Sequence, residues 1–180
     1  MALILGIDPG LTRCGVGLIR SDSSRKVTFE SVHLLESSPK ADISERLATI
    51  GNGIKTLIET HNPDHLAVER VFTQQNLKTV TGIAQVSGLA IYFAASAGIP
   101  VSYFTPSEVK AAITGNGRAG KDQVGFMVAK LLGLAEIPKP ADAADALAIA
   151  ICAAWKPQQV EQTETAAQAV WRQALNASNS

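Results

Sequence analysis

The sequence predicts an α/β domain whose five-stranded mixed sheet is flanked by helices. Three observations carry that prediction. The first 35 residues hold three apolar stretches joined by short turns, as in an antiparallel meander. From residue 41 onward, segments with helical spacing alternate with two short apolar runs. The final segments, up to residue 156, are all helical.

The elements follow in order. Residues 2–7, ALILGI, read as a buried strand, and the turn DPGLTR leads into CGVGLIRS over 14–21. After DSSR comes KVTFESVHLL over 26–35. Residues 41–61 place Ile43, Leu47, Ile50, Ile54 and Leu57 at helical spacing, with Asp42 or Ser44 as the cap. NPDH breaks that helix, and LAVERV over 66–71 is a short strand. An apolar helix spans Leu77 to Ala97 and ends near Gly98. VSYFT is the fifth strand, PSEVKAAIT opens with Pro106 and is helical, and GNGRAG is a loop. KDQVGFMVAKLLGL carries Val124, Met127, Val128 and Leu131 on one face. After the linker IPKP, residues 141–156 form an Ala-rich helix. The domain therefore covers residues 1–156. Residues 157–180 shift to Gln, Ala, Thr, Ser and Asn, which predicts a largely disordered polar tail, with Trp171 as a possible tether.

Composition narrows the functional classes. Hydrophobic residues make up 46% and charged residues 18%, values typical of a soluble globular domain. Cys14 and Cys152 both lie in apolar stretches, which favours a reduced, cytoplasmic setting over a disulfide framework. No basic leader precedes the first apolar run, so no signal peptide is expected. Residues 79–107 carry no charge, yet Thr, Gln, Ser and Gly interrupt the run, and no membrane span is expected. Such a helix is buried inside the domain, or on the sheet and a partner chain together. Net charge is zero, which is not the footprint of a protein that coats nucleic acid. Residues 66–156, however, hold eight Lys/Arg and six acids. If three of those acids bind metal, a locally basic face remains.

The acids stand in awkward places. Asp8 ends an apolar strand, where a buried charge without a partner costs several kcal/mol in order of magnitude. Asp-Pro-Gly is also good turn chemistry, so Asp8 either caps a turn or holds a cation. Glu69 shares a strand face with Ala67 and Val71, where an apolar residue is normal. A distant arginine could pair with it; neighbouring Arg70 points to the other face. Asp142 and Asp145 are three residues apart on one helix face and repel. The helix dipole favours Asp142, but Asp145 is followed at once by Ala, Leu and Ile. Carboxylates that converge need a divalent cation between them, and Mg²⁺ prefers oxygen ligands and bridges to phosphate. Two such ions can clamp the attacking and leaving oxygens of an in-line phosphoryl displacement. His61 and His65 have metal-ligand spacing, but Pro63 separates them, and all three histidines read as surface or packing residues.

Four stretches, GIDPGLTRCGVG, AVERVF, TPSEVKAAITGNG and ADAADALAIA, resemble the RuvC-type Holliday junction resolvases in type, order and spacing, over about residues 2–155. The resemblance implies a ribonuclease-H-like fold. It implies that Asp8, Glu69, Asp142 and Asp145 are the catalytic, metal-binding acids. It implies Mg²⁺, two ions per active site with Mn²⁺ able to substitute, and hydrolysis leaving 5′-phosphate and 3′-hydroxyl ends. It further implies a homodimer nicking opposed strands of four-way junction DNA in recombination and repair, in contact with a branch-migration helicase complex. Phe72 is similar to the family's base-stacking Phe, though an aromatic residue there also suits core packing. Lys110 and Lys121 become candidate phosphate contacts, and Arg118 lies with them around the GNGRAG loop.

Rival readings fail on particular residues. Gly115 to Asp122 fits G-x-x-x-x-G-K, but Asp122 stands where a phosphate-binding loop needs Ser or Thr, and a helix precedes it. Sugar-kinase or actin-like proteins need two domains, and this length supplies one. A non-catalytic junction-binding module would be expected to lack an acid of the set. A general nuclease or RNA-hybrid hydrolase of the same fold remains as an alternative, because fold alone does not separate substrates.

Overall fold

The computed structural model describes residues 1–70 and 77–156. Phe72, Trp171 and the tail over 157–180 lie outside the described residues. The elements are β1 (Ala2–Asp8), β2 (Arg13–Ser21), β3 (Val27–Glu36), α1 (Ile43–His61), β4 (His65–Glu69), α2 (Leu77–Ser96), β5 (Val101–Phe104), α3 (Pro106–Thr114), α4 (Lys121–Leu132) and α5 (Ala141–Trp155). Their order is the one the sequence predicts. Boundaries differ slightly. Strand β1 runs through Asp8, and α4 stops at Leu132 because Gly133 takes the left-handed capping conformation, φ 66°. Asp42 occupies the N-cap position of α1 but makes no side-chain cap bond.

The five strands lie in the order β3-β2-β1-β4-β5. Strands β1, β2 and β3 form the antiparallel meander, whereas β1–β4 and β4–β5 are parallel. Parallel pairing places Ile7 opposite Val68. The next residues, Asp8 and Glu69, therefore emerge at the same end of the sheet.

Side-chain alternation then sorts the residues by face. Leu3, Leu5, Ile7, Cys14, Val16, Leu18, Leu66 and Val68 pack against α1 and α2. Ile4, Ile19 and Ala67 pack on the other face with α3, α4 and α5. By the same alternation Asp8, Glu69 and Arg13 project on the α5 side. Strand β4 is buried on both faces, because it lies between β1 and β5 with helices above and below. Glu69 thus ends a buried row containing His65 and Ala67, not the core face of a half-exposed strand. His65 Nε2 sits 2.9 Å from Ser102 Oγ, consistent with a packing role.

Helix α5 is buried nearly all round: Ala143, Ala144 and every residue from Ala146 to Ala153. It reaches the sheet through missing side chains. A Cβ on Gly15 would collide with the backbone oxygen of Asp142, and one on Gly6 with that of Ala146. One on Gly17 would stand 2.8 Å from the Leu147 backbone nitrogen. Glycine on the strands and alanine on the helix thus set a short helix–sheet distance.

Helix α2 is not fully internal. Val86, Ala90 and Ala94 are buried, while Thr81, Ala84, Gln85 and Gly88 are exposed and Tyr92 is 65% exposed. Among the described residues, no helix is long and apolar enough to cross a membrane.

A capping box fastens α3. Thr105 Oγ1 accepts from the Glu108 backbone N–H at 3.3 Å, and Glu108 Oε2 accepts from the Thr105 backbone N–H at 2.8 Å. Glu108 Oε1 also accepts from Lys156 Nζ at 2.8 Å, tying the start of α3 to the end of α5. The Lys156 and Thr105 hydrogen bonds hold the Glu108 carboxyl at about 2, below its usual 4.5. Glu108→Ala is expected to cost about 1 kcal/mol, a melting-temperature drop of roughly 2–4 °C. A depressed carboxyl stabilises above its unfolded value, so the difference from the native protein narrows as pH falls from 4.5 towards 2. Thermal melts at pH 6 and pH 3 check both the size and the sign.

Candidate active site

One cleft of about 550 Å³ opens where β1, β4 and the start of α5 meet. Asp8, Glu69, Asp142 and Asp145 all line it, together with Lys110, Lys121, Arg13 and Arg70. The fold explains each position. Asp8 and Glu69 come from adjacent parallel strand ends. Asp142 and Asp145 come from the first turns of α5, drawn to the sheet by Gly6, Gly15 and Gly17. Lys110 comes from α3, and Lys121 is the first residue of α4.

The electrostatics are those of crowded carboxylates. Burial first, and then the charges of Glu69, Asp145 and Asp142, together push the Asp8 carboxyl up from 3.8 to about 8. Glu69 is also raised, chiefly by burial and then by Asp145, while its hydrogen bond with Asp8 acts in the opposite direction. The two strand acids thus resist ionising together. The helix acids are compensated differently. Lys121 Nζ lies 2.9 Å from Asp145 Oδ2, and Arg13 Nε lies 3.4 Å from Asp142 Oδ2. Both aspartates are 26% exposed.

The donor set fits a hard divalent cation: it is all oxygen, and it concentrates negative field on a carboxyl that resists ionising. Among the described residues no three His, Cys, Asp or Glu side chains are gathered as a ready-made metal cluster. The acids line a common cleft, with two of them turned to cationic side chains. His33, His61 and His65 are absent from the cleft lining.

The sequence profile described as Crossover junction endodeoxyribonuclease RuvC matches residues 4–153. The chain belongs to the RuvC family. As a member it is a hydrolase of the crossover junction endodeoxyribonuclease class. Its similarity to the RuvC of Clavibacter michiganensis is 54% identity over 153 residues, 85% of this chain and 76% of that one. The RuvC of Bifidobacterium adolescentis is 53% identical over 178 residues, covering 96% of this chain and 92% of the relative. The structure of T. thermophilus RuvC in complex with Holliday junction substrate superposes with a TM-score of 0.79 at 32% identity, covering 84% of this chain and 92% of that chain. The fold is accordingly ribonuclease-H-like.

Of the sequence-predicted residues, the structure brings six to this RuvC-family cleft: the four acids, Lys110 and Lys121. Arg118 is exposed and does not line it. Phe72 lies outside the described residues. Sequence reasoning missed Arg13 and Arg70 as cleft residues. A signal for Arg13 existed in the alternation Arg13-x-Gly15-x-Gly17, which puts the arginine on the face the glycines open to α5.

Proposed function

We propose that this chain resolves Holliday junctions as a homodimer, nicking two opposed strands symmetrically and leaving 5′-phosphate and 3′-hydroxyl ends. The observation that carries the reading is the lining of one cleft by Asp8, Glu69, Asp142 and Asp145 beside two lysines. The T. thermophilus relative, captured with junction substrate, adds support through its superposition. The four acids hold divalent metal, Mg²⁺ by preference and two ions per site, with Mn²⁺ as a substitute. Bound there, the metal supplies Lewis-acid polarisation of the phosphodiester and charge for the leaving oxygen. The remaining work falls to this chain's side chains. Asp8 would release its proton to solvent when the cleft gains positive charge. Lys110 and Lys121 attract and orient substrate phosphate at the cleft wall. Arg118 contacts the backbone farther out, and Phe72 stacks on an unpaired base.

The outer face of α2 from Thr81 to Tyr92, which carries no charge and includes Gly88, is the proposed dimer surface, since it leaves aromatic and small residues in solvent. Two buried free cysteines suit a reduced cytoplasm. Contact with a branch-migration helicase complex is part of the same proposal and rests on the family resemblance alone.

The test uses purified protein, Mg²⁺, and a four-way junction and linear duplex of matched sequence. Paired symmetric nicks in the junction alone are expected. Equal cutting of both substrates would reduce the activity to that of a general nuclease, the runner-up reading for this fold.

A further inference from the structure

We propose that Arg13 holds Asp142 as its counter-ion before a divalent cation arrives, then releases that carboxylate and turns its guanidinium to substrate phosphate. The inference deepens the metal-site reading above and rests on it.

The geometry supports it at three points. Arg13 opens β2 on the face that carries Gly15 and Gly17. Those glycines bring α5 against the strand, so the arginine reaches past the helix start to Asp142. The contact is loose: Nε to Oδ2 is 3.4 Å, longer than the roughly 2.7–2.9 Å of a strong charge-assisted bond. Arg13 is also 51% exposed and lines the cleft with Asp8 and Glu69, so its guanidinium is free to turn. A planar fork of donors matches phosphate in a way an ammonium does not. Lys121 makes the parallel arrangement with Asp145, so each helix acid has a cation from a different element. In this arrangement a cation entering the cleft must compete with Arg13 for Asp142.

The test compares the full chain with Arg13→Met, which keeps the stem and removes the charge, and with Arg13→Lys. Mn²⁺ binding without DNA is followed by electron paramagnetic resonance, and junction binding in EDTA by fluorescence anisotropy over a salt series. Arg20→Met, which removes the same charge from the same strand, where Arg20 pairs with Glu30 of β3, controls for net charge. Arg13→Met is expected to bind Mn²⁺ about two- to five-fold more tightly, the factor that an ion pair of about 1 kcal/mol or less represents. Its junction affinity should fall, with the slope of log affinity against log salt shallower by about one. Arg13→Lys should stay near the native protein in Mn²⁺ affinity. Unchanged or weaker Mn²⁺ binding in Arg13→Met, or an equal gain in Arg20→Met, would overturn the counter-ion role. Tighter Mn²⁺ binding with unaltered junction affinity would overturn the phosphate role. If the native chain has no Mn²⁺ site that Asp8→Asn removes, the metal reading fails and this inference falls with it.

Discussion

Asp8→Asn should bind a four-way junction about as well as the native protein and cut it on the order of 10³-fold more slowly, or worse. The loss corresponds to the several kcal/mol of charge stabilisation a metal ion supplies to phosphoryl transfer. Binding survives because Lys110, Lys121 and Arg13 are untouched. The same change should stabilise the protein in EDTA. Native Asp8 is pushed up from 3.8 to about 8, so between those values the folded state holds a proton that the unfolded state has released. Native stability therefore falls as pH rises through that window, and asparagine has no such slope. At pH 7 the variant should be more stable by about 2 kcal/mol or more, a melting-temperature gain of about 4 °C or more. Millimolar Mg²⁺ should narrow the gap, since the cation stabilises only the protein that binds it. Single-turnover cutting and melts with and without Mg²⁺ read both signs. Brisk Mg²⁺-dependent cutting by Asp8→Asn would remove Asp8 from the metal site.

Gly15→Ala should lose both stability and activity. The added methyl would meet the backbone oxygen of Asp142, which cannot rotate away as a side chain could. Either β2 or the start of α5 must move. Overpacking of this kind costs about 2–4 kcal/mol, a melting-temperature drop of roughly 4–16 °C. The movement falls on the turn that carries Asp142 and Asp145. A displacement of about 1 Å at such groups costs on the order of 10²-fold in rate. Cutting should therefore fail at temperatures where the variant is still folded by circular dichroism. A Gly15→Ala protein with native melting temperature and native cutting rate would mean that α5 does not need this close approach.

The architecture was readable because its signals are local. Short turns between Ile7 and Lys26 dictate antiparallel neighbours, and helical spacing from Ile43 to Leu57 dictates α1. Less local features were not. Glu69 stands in a slot where an apolar residue is normal, but alternation does not reveal that β4 is flanked on both sides and covered on both faces. The cap of α3 was legible and overlooked: Thr105-Pro-Ser-Glu108 is a capping box in plain sequence. Arg118 sits within three residues of Lys121, yet the N-terminus of α4 carries Lys121 into the cleft while the loop leaves Arg118 in solvent.

The amino-acid order alone singled out the four candidate acids and determined the element order and the family, because each depends on residue type and spacing along the chain. Only the folded chain decided that Asp8 and Glu69 leave the sheet side by side, through parallel pairing of strands some sixty residues apart. Only it decided which cation meets which acid: Lys121 meets Asp145 and Arg13 meets Asp142. Those pairings depend on how closely a helix approaches a sheet. That distance is set by glycines and alanines whose effect is invisible until both surfaces are present.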